Sequence, residues 1–78
     1  MEEILLEKLQ EIYNLEIEIE IEFIDFRRYA IFCKLNPNKF IRFLFEFDCK
    51  YTIDFNVQIL SDMIDRQIVK LYKKGEYK

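Results

Sequence analysis

The stretch that decides the fold is Leu15-Glu16-Ile17-Glu18-Ile19-Glu20-Ile21-Glu22-Phe23, in which every odd position is apolar and every even position is glutamate. A period of two is the signature of a β-strand, because successive side chains leave a pleated backbone on opposite faces. The segment therefore reads as a strand whose odd positions face a core and whose even positions face water. On its N-terminal side the period is 3.6 instead. Leu5, Leu6, Leu9, Ile12 and Tyr13 recur at spacings of three and four, which predicts a short amphipathic helix over residues 1–14. Glu2 and Glu3 suit the positive end of its dipole, and Asn14 tolerates the left-handed conformation that closes a helix.

On the C-terminal side the alternation slips at Ile24-Asp25-Phe26, and Arg27-Arg28 reads as a turn. A second strand is predicted from about Tyr29 to Leu35, with Tyr29, Ile31, Cys33 and Leu35 on its apolar face. Asn36-Pro37-Asn38-Lys39 breaks it, since proline donates no hydrogen bond and asparagine accepts turn dihedrals. A third strand follows from about Phe40 to Cys49, with Ile41, Phe43, Phe45 and Phe47 on one face. Pairing odd with odd residues keeps all three apolar sets together. Tight connections then predict the neighbours Phe23 with Cys33, Cys33 with Phe43, and Tyr29 with Phe47. In that register Cys33 and Cys49 are too far apart for a disulfide, which needs Cα atoms within about 7 Å, so both read as buried free thiols.

Tyr51, Ile53 and Phe55 alternate once more, as an extended connection or a fourth strand. Val57, Leu60, Ile64, Ile68 and Leu71 then return to helical period. Asn56 reads as the N-cap, Phe55 and Leu60 as a hydrophobic staple, and Lys73-Lys74-Gly75 as the C-terminus of a helix of about 18 residues, about 27 Å long. The fold class is α+β, in the order α-β-β-β-α. A three-stranded antiparallel meander carries both helices on its odd face, and residues 1–78 form one domain.

Composition narrows the function. Apolar residues make up 51% of the 78-residue chain, enough for a small core, and there is no histidine. Serine and cysteine nucleophiles that depend on a histidine base are excluded, as are the usual zinc sites. No apolar run reaches the length of a membrane span, and Met1-Glu2-Glu3 is acidic where a targeting peptide would be basic. These features point to a soluble, cytoplasmic protein of a host cell with no membrane partner and no cofactor.

The charge layout is uneven. Residues 1–26 carry nine acidic side chains and one basic, a formal −8. Residues 27–78 carry eleven basic and six acidic, a formal +5, and together they leave the chain at −3. Glu16, Glu18, Glu20 and Glu22 stand about 6.6 Å apart along one strand face. Such a row either protects a solvated sheet edge from aggregation or presents a binding surface to a basic partner, and the opposed charges would steer that encounter. Its repeat is about twice the 3.4 Å at which phosphates recur along a DNA strand, so it fits a groove lined by lysine and arginine. Asp25, Glu46 and Asp48 are further acidic candidates. Carboxylates so spaced cannot converge on one ion whose oxygen ligands lie about 2.4 Å away, so no metal is assigned. The row has no cleft and nothing to raise one pKa, so no catalytic residue is assigned and the chain reads as non-enzymatic.

Two other surfaces stand out. The slip at Ile24 leaves Ile24, Phe26, Phe32 and Leu44, with Phe40 nearby, on the sheet face away from the helices. A register pairing Ile24 with Phe32 and Phe32 with Leu44 makes them one apolar patch, either a second small core under residues 51–55 or an interface for a homodimer or another protein. Arg66, Lys70, Lys73, Lys74 and Lys78 gather toward the C-terminus, and Arg27-Arg28 form another basic spot. The order of elements is that of the double-stranded RNA-binding domain, whose second helix begins with phosphate-gripping lysines. Here the early turns of that helix carry Asp62 and Asp65, and the Gly-Pro-x-His-type loop is absent, so direct nucleic-acid binding is not expected.

In architecture and charge, the chain resembles small phage and mobile-element inhibitor proteins, among them anti-CRISPR proteins that block Cas nucleases. Those proteins combine a small sheet, flanking helices and acidic side chains placed where the nuclease expects nucleic acid. The resemblance covers the whole chain and rests on no sequence motif. It implies a non-enzymatic inhibitor whose partner is a basic, nucleic-acid-binding nuclease complex, with Glu16, Glu18, Glu20 and Glu22 in the acidic role. The alternative is a homodimeric structural or regulatory module joined through Ile24, Phe26, Phe32 and Leu44.

Overall fold

The computed structural model describes residues 1–14, 17–35 and 39–73, with side chains as far as Leu71. Leu15, Glu16, Asn36, Pro37, Asn38 and residues 74–78, with the side chains of Tyr72 and Lys73, lie outside the described residues, and with them the expected break after β2 and the expected end of the last helix. The elements run α1 (Glu2–Tyr13), β1 (Glu18–Asp25), β2 (Arg28–Leu35), β3 (Lys39–Glu46) and α2 (Ile53–Lys73), and the sheet is an antiparallel meander in the order β1-β2-β3. This is the α+β fold that the two periodicities predict.

Both helices lie on the odd-numbered face of the sheet, α1 against β1 and α2, and α2 also against β3. Leu5 and Leu9 of α1, and Val57, Leu60 and Ile64 of α2, are buried against Ile19, Tyr29, Ile31, Cys33, Leu35, Ile41 and Phe45. Asn14 closes α1 in the left-handed region at φ 52° and donates its N–H to the Gln10 carbonyl, as an asparagine C-cap does. Ile12 is exposed instead of buried. The buried stripe centres on Leu5, Leu9 and half-buried Tyr13, and Ile12 falls on its flank.

The register differs from the expected one by even steps. Phe23 pairs with Tyr29 and Cys33 with Ile19, a slip of four residues from the expected Phe23 to Cys33 pairing. Cys33 pairs with Ile41 and Tyr29 with Phe45, a slip of two. The slip of four between β1 and β2 comes from the first turn, which is Phe26-Arg27 between paired Asp25 and Arg28, with a bulge at Ile24. Arg28 belongs to β2, and its Nε and Nη2 donate to the two Asp25 carboxylate oxygens at 2.8 and 2.6 Å, a bidentate clasp across the hairpin end. Because side chains alternate with period two, even slips leave the paired residues on their expected faces, except that the bulge at Ile24 carries Asp25 over to the outer face beside Arg28. Phe23, at the end of that face on an edge strand, is nevertheless half exposed, with its ring edge-on to Tyr29 at 5.6 Å.

Beyond β3 the expected extended segment is absent. The strand stops at Glu46, and α2 begins at Ile53 and runs for 21 residues, so residues 51–55 are not a fourth strand. The Thr52 hydroxyl accepts the Phe55 N–H at 3.1 Å, the role assigned to Asn56 from the sequence. Asn56 is instead fully buried inside the first turns. Its Oδ1 accepts the Asp48 N–H at 2.8 Å, and its Nδ2 donates to the Asp48 and Thr52 carbonyls, each at 2.9 Å. One buried amide therefore satisfies the bend between β3 and α2. Phe55 is exposed and does not staple the helix. Cys33 is buried and Cys49 is exposed, both as free thiols, which corrects the expectation that both are buried.

Candidate functional site

The even-numbered positions face away from the helices and form an uncovered sheet face. The pairing arranges them in rows across the strands: Glu18, Lys34 and Phe40; Glu20, Phe32 and Arg42; Glu22, Ala30 and Leu44; and, at the hairpin end, Arg28 and Glu46 joined by Asp25, which the bulge at Ile24 brings onto this face. Glu18, Glu20 and Glu22 are all exposed on β1, which is an edge strand, and they stand about 6.6 Å apart. Among the described residues none of the three has a cation within 4 Å. Glu16 lies outside the described residues.

Asp25, Glu46 and Asp48 do not extend the row. Asp25 is engaged by Arg28, whose hydrogen bond and charge hold its carboxyl below the usual range. Glu46 lies 3.9 Å from Arg27, and Asp48 accepts the Lys50 N–H on its own bend. Arg27 and Arg28 are thereby partnered with acids and do not form a separate basic spot. Arg66 and Lys70 are exposed on the second half of α2.

The apolar patch divides. Phe32 lies opposite Arg42, and Leu44 lies opposite Ala30, so Phe32 and Leu44 are diagonal neighbours on the face. Ile24 and Phe26 sit apart from them at the hairpin end, because the tight turn places them well past the expected register. Phe26 is 81% exposed at φ 44°, an uncommon conformation for a bulky residue, and the Arg27 guanidinium stacks 4.7 Å from its ring centroid. Small Ala30 at the centre of the face leaves an open depression of about 730 Å³, lined among others by Glu20, Glu22, Phe32, Arg42 and Leu44. The rings of Phe32 and Phe40 lie against each other beside it, with centroids 5.4 Å apart.

Arg42 and Lys34 are the residues that sequence reasoning missed on this face. Each sits at an even position of its strand, and that parity could have found them.

The two edges of the sheet are built differently. On β1 the Phe23 N–H points outward and is capped by Glu2 Oε2 at 2.8 Å, while α1 packs alongside and Ile19 is buried. On β3 the residues Phe40, Arg42, Leu44 and Glu46 are all exposed.

These features define a class, a small α+β domain with one acidic edge strand and one open, mixed sheet face. No protein-family model, curated protein or solved structure matches the chain. No described helix is long and apolar enough to cross a membrane, and among the described residues no cluster of three metal-ligating side chains forms.

Proposed function

We propose that this chain is a non-enzymatic, protein-binding inhibitor of the phage or mobile-element kind, similar in action to anti-CRISPR proteins. It lays the acidic margin of its sheet against a basic, nucleic-acid-handling partner. The observation that carries this reading is the line of Glu18, Glu20 and Glu22, exposed on an edge strand without a neighbouring cation among the described residues. Like charges held about 6.6 Å apart repel, and a basic partner relieves that repulsion when it binds. The opposed charges of the two chain segments add steering, which makes association fast and salt-sensitive.

The test is affinity capture from host lysate with the wild type beside a variant carrying Glu16→Lys, Glu18→Lys, Glu20→Lys and Glu22→Lys. A nucleic-acid-handling protein should be enriched by the wild type, released by salt or by a polyanion competitor, and absent from the variant. Retrieval of the same proteins by both would overturn the reading.

A second reading, a homodimeric regulatory module closed across the outer face, is favoured by Leu44, 60% exposed beside Phe32 at the open depression. Phe32→Asp should then convert a dimer into a soluble monomer. Unchanged mass in light scattering would count against it.

A further inference from the structure

Strand β3 is an open edge whose own sequence is its complement. The Phe47 N–H donates to the Arg27 carbonyl at 2.8 Å, which makes 27 and 47 a hydrogen-bonded pair of the antiparallel ladder. Hydrogen-bonded and non-hydrogen-bonded pairs alternate, so the odd residues of β3 bond to β2. The even residues, Phe40, Arg42, Leu44 and Glu46, turn their N–H and C=O groups toward the free edge, and all four are exposed. Proteins normally cover or blunt such an edge. Here β1 is blunted by its glutamates and by Glu2 on the Phe23 N–H, and although α2 packs on the odd face of β3 as α1 does on β1, no side chain caps an outward main-chain group of β3 among the described residues.

We infer that β3 pairs antiparallel with β3 of a second copy of this chain, centred on Leu44, to give a six-stranded sheet in the order β1-β2-β3-β3-β2-β1. In that register Leu44 lies opposite Leu44, and Arg42 lies opposite Glu46 of the second copy, twice by symmetry. Every outward N–H and C=O from Arg42 to Glu46 finds a partner, because all the paired positions are even. The charges select this register. Centring on Arg42 would set two arginines face to face, and centring on Phe43 would pair Arg42 with Leu44 and leave neither Arg42 nor Glu46 an opposite charge across the seam. The interface is isologous and closed, as a two-fold dimer requires. It is distinct from closure across the outer face, and it does not depend on the acidic-strand reading.

The two glutamate rows would then border one continuous face, about 24 Å apart across five strand spacings.

Sedimentation equilibrium on the full chain tests the pairing. Strand-edge interfaces are small, so the range should extend to protein concentrations on the order of 1 mM. The wild type should approach twice 9.7 kDa at the high end. Arg42→Glu alone and Glu46→Arg alone should each weaken dimerisation by about tenfold or more, because like charges then face each other. The double variant R42E/E46R restores opposite charges and should restore the dimer. Leu44→Pro removes only an outward N–H and should give a folded monomer by circular dichroism. A wild type that stays monomeric throughout, single reversals that leave the dimer intact, or a folded double variant that stays monomeric would each overturn the inference. So would loss of the dimer in Phe32→Asp, which would place the contact on the face.

Discussion

The two edges of this sheet are chemically opposite. β1 is acidic on its outer face, apolar beneath, overlaid by α1 and capped at Phe23 by the Glu2 carboxylate. β3 carries Phe40, Arg42, Leu44 and Glu46 outward, with their main-chain groups directed at solvent. Alternation builds a strand in both cases and a helix packs on the inner face of each, yet only β1 has a side chain, Glu2, reaching round to cap a free main-chain group among the described residues. The −8 segment comprises α1 and β1 together, so the acidic surface coincides with the edge that Glu2 caps. The open edge belongs to the +5 segment.

The largest test of this contrast is the core beneath each edge. Phe45→Ala under β3 should cost about 3 to 5 kcal/mol and Ile19→Ala under β1 about 2 to 5 kcal/mol in urea unfolding, since both side chains are buried. In a domain this small, either could unfold most molecules. Phe43 is only half buried, and its removal should cost less, about 1 to 2 kcal/mol. Equal costs for Phe43 and Phe45 would mean that β3 is more enclosed than described.

Next comes the bend that leaves β3. Asn56→Ala strips three hydrogen bonds from it and leaves the Asp48 N–H without its acceptor, an expected loss of about 2 to 3 kcal/mol by thermal or chemical melt.

Smaller still is the tie that holds the cover of β1 in place. The Tyr13 hydroxyl at the end of α1 lies 2.7 Å from Asp65 Oδ1 and 3.0 Å from the Ser61 carbonyl of α2. Burial, then the hydrogen bond to Asp65, push the phenol above its ordinary value of 10. A group whose folded pKa is raised contributes stability below its unfolded pKa and loses it as the pH climbs past that value. Burial likewise pushes the Cys33 thiol from 9.0 up to about 11. Stability should therefore begin to fall near pH 9 and fall further above pH 10. Tyr13→Phe should cost about 1 kcal/mol at neutral pH and flatten the upper part of that decline. A decline of unchanged steepness in the variant would remove Tyr13 from the account.

The smallest effect belongs to Glu2→Ala, which uncaps the β1 edge. Stability should change by less than about 1 kcal/mol, while amide exchange at Phe23 accelerates relative to its neighbours. If the uncapped protein also begins to self-associate, the carboxylate is part of what keeps β1 single.

The alternation of residues 15–23 made the strand, its faces and the α+β order legible, because period is a local property of the chain. Register was not legible, since it depends on where the turn sits. Nothing local marks Phe26 as the residue that takes positive φ when glycine is absent from the hairpin. The even slips kept Glu18, Glu20 and Glu22 on the outer face and separated Ile24 and Phe26 from Phe32 and Leu44. Asn56 was misread for a related reason. A side chain that caps a helix start and one that buttresses a preceding bend are the same residue type, and only the packing of Asp48 distinguishes them.

The unlike burial of the two cysteines gives the molecule a built-in clock. Cys49 is open to a thiol reagent in the folded state, whereas Cys33 is enclosed between the sheet and the helices. Modification should run in two phases, an immediate one at Cys49 and a slow one at Cys33, gated by opening of the whole core. The slow phase counts unfolding events under native conditions, without denaturant and without an engineered cysteine.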